Sequence, residues 1–369
     1  MVTASASIPG PLRDGFERAD LVRRQLGQWL EALGLGPVET PARTVCVLRG
    51  AELRAYDAAD RHPTSRHYGP VLLIIPAPIK QHYIWDLAPE ASAVRRCLEA
   101  GLRVYLIRWT EPDLDQGLDD YAHHLIATSV DAITSDCGAA DRIVLAGHSL
   151  GGTLAAIFAA SRPEVLRALV LLEAPLWFGG RGAGVFAPLV ERSPSAEAIA
   201  AALGGRVPGS FLDAVCTAAA PETFHWERWQ DAVASADDPA ALQLHLRVER
   251  WALDELPLSG RLFADVIERL YRWDQFRRGT LRIAGRPARP ESVTAPVLCV
   301  FDPRSRIVPP ASVLPFVEAL RAHTETRLLR YDGDVGVALQ HVGSLVGRNA
   351  HRRLWPAILD WMRIAGAVS

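Results

Sequence analysis

Long apolar runs, a surplus of one charge and a cysteine framework are all missing from this 369-residue chain. No 18-residue uncharged apolar run occurs, and the N-terminus, MVTASASIPGPLRDG, has no apolar h-region, so neither a membrane span nor an export signal is expected. Forty Lys and Arg against 42 Asp and Glu leave a net charge of -2, without the basic field that nucleic acid or an anionic membrane surface requires. The five cysteines (Cys46, Cys97, Cys137, Cys216, Cys299) are odd in number, scattered and free of any CxxC pair. That pattern argues against a disulfide framework and a structural zinc site, and it fits a reducing, cytoplasmic setting. No repeat, low-complexity tract, phosphate-binding glycine loop or metal-ligand cluster appears, so no cofactor or metal is expected. What is present is 49% hydrophobic with 22% charged residues, a globular composition long enough for one large core or two domains.

Asp14 to Leu35 places Phe16, Leu21, Val22, Leu26, Trp29, Leu30 and Leu33 at roughly helical spacing before Gly34 and Gly36, predicting an amphipathic packing helix. Thr44–Arg49 and Leu53–Tyr56 read as a β-hairpin. Six short apolar runs follow: Val71–Ile75, Val104–Trp109, Ile143–Ala146, Leu169–Leu172, Val297–Phe301 and Thr326–Tyr331. The first four are separated by segments able to hold crossover helices. Strands apolar on both faces and spaced this way predict a mostly parallel central sheet covered by helices on both sides, an α/β fold. The rhythm stops between Phe178 and Ser292, a stretch rich in Trp226, Trp229, Trp251, Trp273, Phe211 and Phe224 with helical patterns and no clear strand. It reads as a helical cap whose aromatics form its own core. The division expected is therefore an N-terminal helical segment (1–40), a core (41–177 and 293–369) and a cap (178–292).

The run Ile143–Ala146 leads directly into GHSLGG, Gly147 to Gly152, and then into the Ala-rich helix TLAAIFAASRP. This is the G-x-S-x-G pattern in its strand, sharp turn, helix setting, which holds the Ser149 hydroxyl clear of the sheet as a nucleophile. The amide of Leu150 then points at the same space and can donate to an oxyanion at the positive end of the following helix. A second donor is expected from the loop PAPIKQ after Val71–Ile75. Pro76 and Pro78 lack an N–H, leaving Ala77 or Ile79, with Ile79 preferred. His148 adjoins Ser149, but neighbouring side chains diverge on a tight turn, so it is a poor base for Ser149. His341 is the better base: it falls on a predicted loop between the last strand and the final helix, where the third triad member lies in the α/β-hydrolase chain order.

From about Thr44 onward the chain resembles the poly(3-hydroxyalkanoate) synthases, particularly their shorter, two-subunit kind. The matching stretches include GPVLLIIPAPIKQHYIWDLAPEASAVRRCLEAGLRVYLIRWTEP, DLDQGLDDYAHHL, VLAGHSLGGTLAAIFAA, LVLLEAPLWF, ERWALDELPLSGRLFADVIERLYRWDQF, APVLCVFDPRSRIVPP and QHVGSLVG. The resemblance implies an α/β-hydrolase fold, acyl transfer under a cap, and His341 as the matched base. Two positions depart from it. Ser149 stands where the family's elbow usually has cysteine, and Ser305-Arg306-Ile307-Val308-Pro309 stands where it usually has D-H-I-V-P. A thiolate is the better nucleophile and leaving group toward thioesters, and a serine hydroxyl at position 305 is too weak an acid to serve as a base. Polymer synthesis is therefore disfavoured, although a related substrate is compatible.

The acid that orients His341 has four readings. Glu173 ends the otherwise apolar run Leu169–Leu172, where a buried carboxylate needs a partner, and it is preferred. Asp302 follows Val297–Phe301, but Pro303 stiffens its loop and Arg304 and Arg306 compete for its charge. In the third reading a Ser–His dyad works alone or the site is inactive, and in the fourth Asp332 or Asp334 takes the role. Asp86 and the pair Asp119–Asp120 are expected to cap helices or face solvent, and Arg304 and Arg306 to form a solvated pair rather than grip a carrier phosphate. The expected function is serine-dependent acyl transfer or hydrolysis on a hydrophobic or hydroxyacyl ester or thioester, CoA-bound and carrier-protein-bound forms included. A polyhydroxyalkanoate synthase variant and a non-catalytic protein of the same fold are the alternatives. A homodimer is a possible assembly.

Overall fold

The computed structural model describes residues 10–56, 69–138, 143–322 and 324–367. Residues 1–9, which carry much of the reading against an export signal, lie outside them. The chain opens with α1 (Pro11–Leu30) and the hairpin β1 (Ala42–Leu48) and β2 (Ala51–Tyr56). Then come β3 (Val71–Ile75), α2 (Ala93–Glu99), β4 (Arg103–Trp109), α3 (Leu125–Cys137), β5 (Ile143–His148), α4 (Leu150–Ser161) and β6 (Leu166–Leu172). These strands join β7 (Val297–Phe301) and β8 (Thr326–Arg330) in an eight-stranded sheet of order β1-β2-β4-β3-β5-β6-β7-β8. β2 runs antiparallel to β1 and β4, and every other neighbour pair is parallel. The predicted hairpin thus forms the edge of the main sheet.

Burial on both faces explains the unbroken apolar runs. In β3, Val71, Leu73 and Ile75 enter the core on one face and Leu72 and Ile74 the core on the other, and all five are buried. A strand buried this way has no polar face to present, so its sequence does not alternate.

Between β6 and β7 the chain forms mainly helices, among them α5 (Gly209–Ala219), α6 (Glu227–Ser235), α7 (Pro239–Ala252) and α8 (Gly260–Asp265). Two corrections arise here. The segment does contain strand, since Arg206–Val207 pairs antiparallel with Leu258–Ser259. Its aromatics are also not uniformly core: Trp251 is buried, but Trp226, Trp229 and Trp273 are more than half exposed, with Trp226 and Trp229 stacked on each other.

α1 departs from expectation in its orientation. Phe16 packs edge-on against Phe211, the Asp20 carboxylate accepts from the Ser210 amide (2.7 Å), and Arg23 pairs with Glu255 (2.7 Å). The face that docks is therefore largely polar. Val22, Leu26, Trp29 and Leu33, predicted to pack, are 54%, 41%, 68% and 76% exposed. Asp86, expected to cap or face solvent, is fully buried and accepts from the Thr40 amide (2.6 Å), the Thr40 hydroxyl (3.0 Å) and the Ser92 hydroxyl (2.5 Å), tying the chain before β1 to the segment before α2. Among the described residues no helix is long and apolar enough to cross a membrane, and no group of three or more His, Cys, Asp or Glu is placed to hold a metal.

After β7 come α9 (Pro310–Leu320), then β8, and then α10 (Gln340–Val346) and α11 (Trp355–Ala367).

Candidate active site

Ser149 sits between β5 and α4 at φ 54 and ψ -134, a backbone conformation costing a non-glycine residue on the order of 1–3 kcal/mol. Glycine packing around it holds that turn in place. A Cβ on Gly151 would stand 2.1 Å from the Ile75 carbonyl oxygen, and one on Gly147 would meet the backbone of Gly151 and Gly152 at 2.6 Å. Helix α4 can begin this close to β3 only because those side chains are missing. The Ser149 amide donates to the Leu172 carbonyl (3.0 Å), and its carbonyl accepts from Gly152 and Thr153.

Leu150 is the first residue of α4, where amides have no acceptor within the helix. Ile79 lies on the loop after β3, held from two sides. Trp109 Nε1 donates to the Pro76 carbonyl (2.7 Å), while the Ile79 carbonyl accepts from the Leu256 amide (3.1 Å). Lys80 adds a second tie to the helical segment, donating to Glu255 and to the Ala252 carbonyl, both at 2.6 Å. Ser149, Leu150, Ile79 and His341 all line one cavity of about 240 Å³, walled mainly by apolar groups such as Phe178, Phe186, Leu212, Trp251 and Tyr271.

His341 was expected on a loop; it is the second residue of α10. That short helix forms because Val342, Leu345 and Val346 recur at i, i+3 and i+4 and are all buried. Glu173 follows β6 directly at φ 45, and its Oε2 lies 3.5 Å from His341 Nδ1. A movement of about half an ångström closes that gap to a hydrogen bond. Neither carboxylate oxygen of Glu173 nor either ring nitrogen of His341 has a hydrogen-bond partner among the described residues. Burial pushes the Glu173 carboxyl up to about 8, against the pull of His148, and pushes His341 down to about 4. Each group is driven toward its neutral form because a charge there loses its hydration.

The remaining acids are engaged elsewhere. Asp302 is buried and accepts from the Arg304 amide (2.8 Å) and Nε (3.4 Å), and no ion pair joins it to His341. Asp334 accepts from Tyr331 and from the Asn349 and Ala350 amides before α11, and Asp332 pairs with Arg330. Ser305 Oγ accepts from the Val308 amide (3.1 Å) within its own turn. Arg304 and Arg306 are both more than half exposed, as expected of a solvated pair, and each also meets a partner at the surface: Arg304 donates to the Asp332 carbonyl (2.6 Å), and Arg306 pairs with Glu222. A second cavity, of about 440 Å³, is lined by Glu173, Asp302, Ser305, Gln340 and His341 among others.

Sequence reasoning gave His148 no role. Its Nε2 donates to the His341 carbonyl (2.7 Å), with the two rings 4.7 Å apart, and burial together with His341 pushes it down to about 3. No sequence signal marks such a bond, because its acceptor is a backbone atom.

The sequence pattern of the α/β-hydrolase fold matches residues 107–332, more than half of the chain. The chain belongs to the α/β-hydrolase fold family. As in the chain order expected for that family, the elbow serine comes first, then the acid candidates, then His341. Among curated proteins it is similar to poly(3-hydroxyalkanoate) polymerase subunits. With that of Haloferax mediterranei it is 30% identical over 301 residues, 81% of this chain but only 59% of the relative's length. With those of Haloarcula marismortui and Allochromatium vinosum it is 27% identical over 95% and 92% of this chain, covering 72% and 94% of theirs. Among solved structures, a monoacylglycerol lipase from Paleococcus ferrophilus (TM-score 0.50, 16% identity, 80% of this chain and 96% of that one) shares the fold. So does an enol-lactonase from Burkholderia xenovorans (TM-score 0.50, 15% identity, 88% and 100%). As an α/β-hydrolase fold member with polymerase-subunit relatives, the chain has support for an acyl-transfer or hydrolytic role.

Proposed function

We propose that this chain is a serine-dependent acyl-transfer enzyme. Ser149 Oγ attacks the carbonyl of a hydrophobic or hydroxyacyl ester or thioester. His341 Nε2 takes its proton and returns it to the leaving group, while the Leu150 and Ile79 amides hold the oxyanion. Glu173 orients His341 through Nδ1 and stabilises the imidazolium. The acyl group then passes from Ser149 to water or an alcohol. The observation that carries this reading is the meeting of three separate chain segments: Ser149 at its strained elbow, His341 lining the same cavity, and Glu173 3.5 Å behind His341. The cavity of about 240 Å³ falls below the roughly 300–1,000 Å³ usual for small-molecule pockets, which favours a short or medium acyl chain. Its apolar walls exclude water and so favour transfer over hydrolysis.

The test is a fluorophosphonate probe with mapping of the adduct. Labelling at Ser149, lost in His341→Ala, is expected; labelling elsewhere, or none, overturns the proposal and leaves a non-catalytic protein of this fold.

The polymerase-subunit relatives favour a second reading, in which Ser149 replaces cysteine in a polyhydroxyalkanoate synthase. Against it stand Ser305, which cannot act as a base, and Asp302, whose carboxylate is taken up by Arg304. Incubation with 3-hydroxybutyryl-CoA separates the two: insoluble polymer supports the synthase, and soluble 3-hydroxybutyrate alone rejects it.

A further inference from the structure

The turn that delivers His341 is gripped by the helical segment above it. Asp231, on α6, is buried against that turn: Oδ1 accepts from the Gly336 amide (2.9 Å) and Oδ2 from the Ala338 amide (2.7 Å). His245, on α7 and also buried, places Nδ1 2.7 Å from the same Oδ2. A carboxylate accepts all three bonds at once, which requires His245 to present Nδ1–H. His245 Nε2 lies 3.8 Å from Glu249 Oε1, and Glu249 accepts from two nitrogens of the Arg228 guanidinium, Nε and Nη2.

The gripped residues do not adopt ordinary backbone. Ala338 stands at φ 54, a left-handed conformation uncommon for a residue with a side chain. Gly336 stands at φ 82, where a Cβ would meet the Ala241 carbonyl oxygen of α7 at 2.6 Å. Two residues, Leu339 and Gln340, separate Ala338 from His341. The same two helices wall the acyl cavity through Arg228, Val248 and Trp251.

We propose that Asp231 and His245 are a positioning pair: through the Gly336 and Ala338 amides they set where His341 stands relative to Ser149, and they tie that placement to the walls of the acyl cavity. The inference rests on His341 being the base. Asp231→Asn keeps the size of the side chain and turns one acceptor into a donor facing an amide or the His245 Nδ1–H. With p-nitrophenyl butyrate, kcat should fall by about 10²-fold, as a displaced base produces, while KM moves little. Deuterium exchange across residues 336–346 should quicken while β3 stays protected. Should Asp231→Asn fail to fold, His245→Gln leaves both amide bonds intact and is measured the same way, with a smaller fall in kcat. Unchanged kcat with unchanged exchange at 336–346 overturns the pair. Wild-type protein that shows no Ser149-dependent turnover overturns the catalytic reading instead, and the exchange comparison then still decides whether Asp231 grips the turn.

Discussion

Glu173→Gln should slow the enzyme and stabilise the fold, and the two effects should separate with pH. An unfolded chain loses the Glu173 proton near 4.5, whereas burial holds it in the folded protein to about 8. Between those values the folded state binds one more proton than the unfolded state, so stability falls as pH rises, by about 1.4 kcal/mol per pH unit. Over the whole window the penalty is on the order of 5 kcal/mol as an upper bound, absent below pH 4.5 and complete above about 8. Glutamine has no proton to lose. The variant should therefore match the wild type in stability near pH 4.5 and melt several degrees higher at pH 9, where each kcal/mol is worth roughly 2–4 °C in a domain of some 200 residues. Activity runs the other way. Ionised Glu173 accepts from Nδ1–H and leaves Nε2 free to take the Ser149 proton; a protonated carboxyl donates to Nδ1 and puts the ring proton on the wrong nitrogen. Wild-type kcat should accordingly climb through about pH 8, and the Gln variant should lose that limb together with about 10³–10⁴-fold in rate, the scale known for an acid-to-amide change in a serine triad. Ester hydrolysis from pH 6 to 9 and thermal melts at pH 4.5 and 9 measure both. A variant that keeps the pH limb, or that melts lower than wild type at pH 9, refutes the assignment of Glu173 and the sign of its burial energy.

Asp302→Asn should leave the rate against p-nitrophenyl butyrate nearly unchanged, because that carboxylate is spent on Arg304; a loss as large as that of Glu173→Gln would move the acid to Asp302. Glu173→Ala should regain part of its rate in millimolar formate, because Glu173 and His341 both line the cavity of about 440 Å³ and the truncation leaves room for an anion between them. No response to formate would mean that the cavity does not admit an anion there. Gly151→Ala should yield little folded protein, since its Cβ would sit 2.1 Å from the Ile75 carbonyl oxygen and the overpacking costs about 1–3 kcal/mol or more; an unchanged melting temperature would show that α4 can shift without loss.

Ser149 was legible because three signals coincide there: an apolar strand, glycines on both sides of the serine, and an Ala-rich helix. Glu173 and His341 were legible one step removed, the first as a carboxylate at the end of a buried strand, the second through chain order. The helix under His341 and the bond from His148 to its carbonyl were not. The first is only seven residues long, and the second ends on a backbone oxygen, which every residue carries and no pattern distinguishes. Asp231 and His245 were invisible for the same reason, since Asp231 reads as one more acid on a helix until the amides of Gly336 and Ala338 are placed beneath it.

The orientation of α1 shows how a buried charge can set what hydrophobic periodicity leaves open. Spacing of 3.6 residues predicts a helix with an apolar stripe, and the usual inference turns that stripe inward. Here the neighbouring surface contains the Glu255 side chain, only 4% exposed and pressed between α1, the Lys80 loop and the end of α7, where little hydration is left to it. An unpaired carboxylate in such a place costs several kcal/mol, more than the roughly 1.5–3 kcal/mol gained by burying one Leu or Val. Lys80 supplies one cation and Arg23 of α1 supplies the other, at 2.6 and 2.7 Å. Once Arg23 faces Glu255 and Asp20 faces the Ser210 amide, Val22, Leu26, Trp29 and Leu33 lie about a third of a turn away and must face outward. Arg23→Ala should therefore loosen α1 from the segment that holds the Ile79 loop, raising deuterium exchange in residues 11–30 and weakening the oxyanion side of the site without touching Ser149, His341 or Glu173; exchange unchanged in α1 would mean that Phe16 and Asp20 alone fix its orientation.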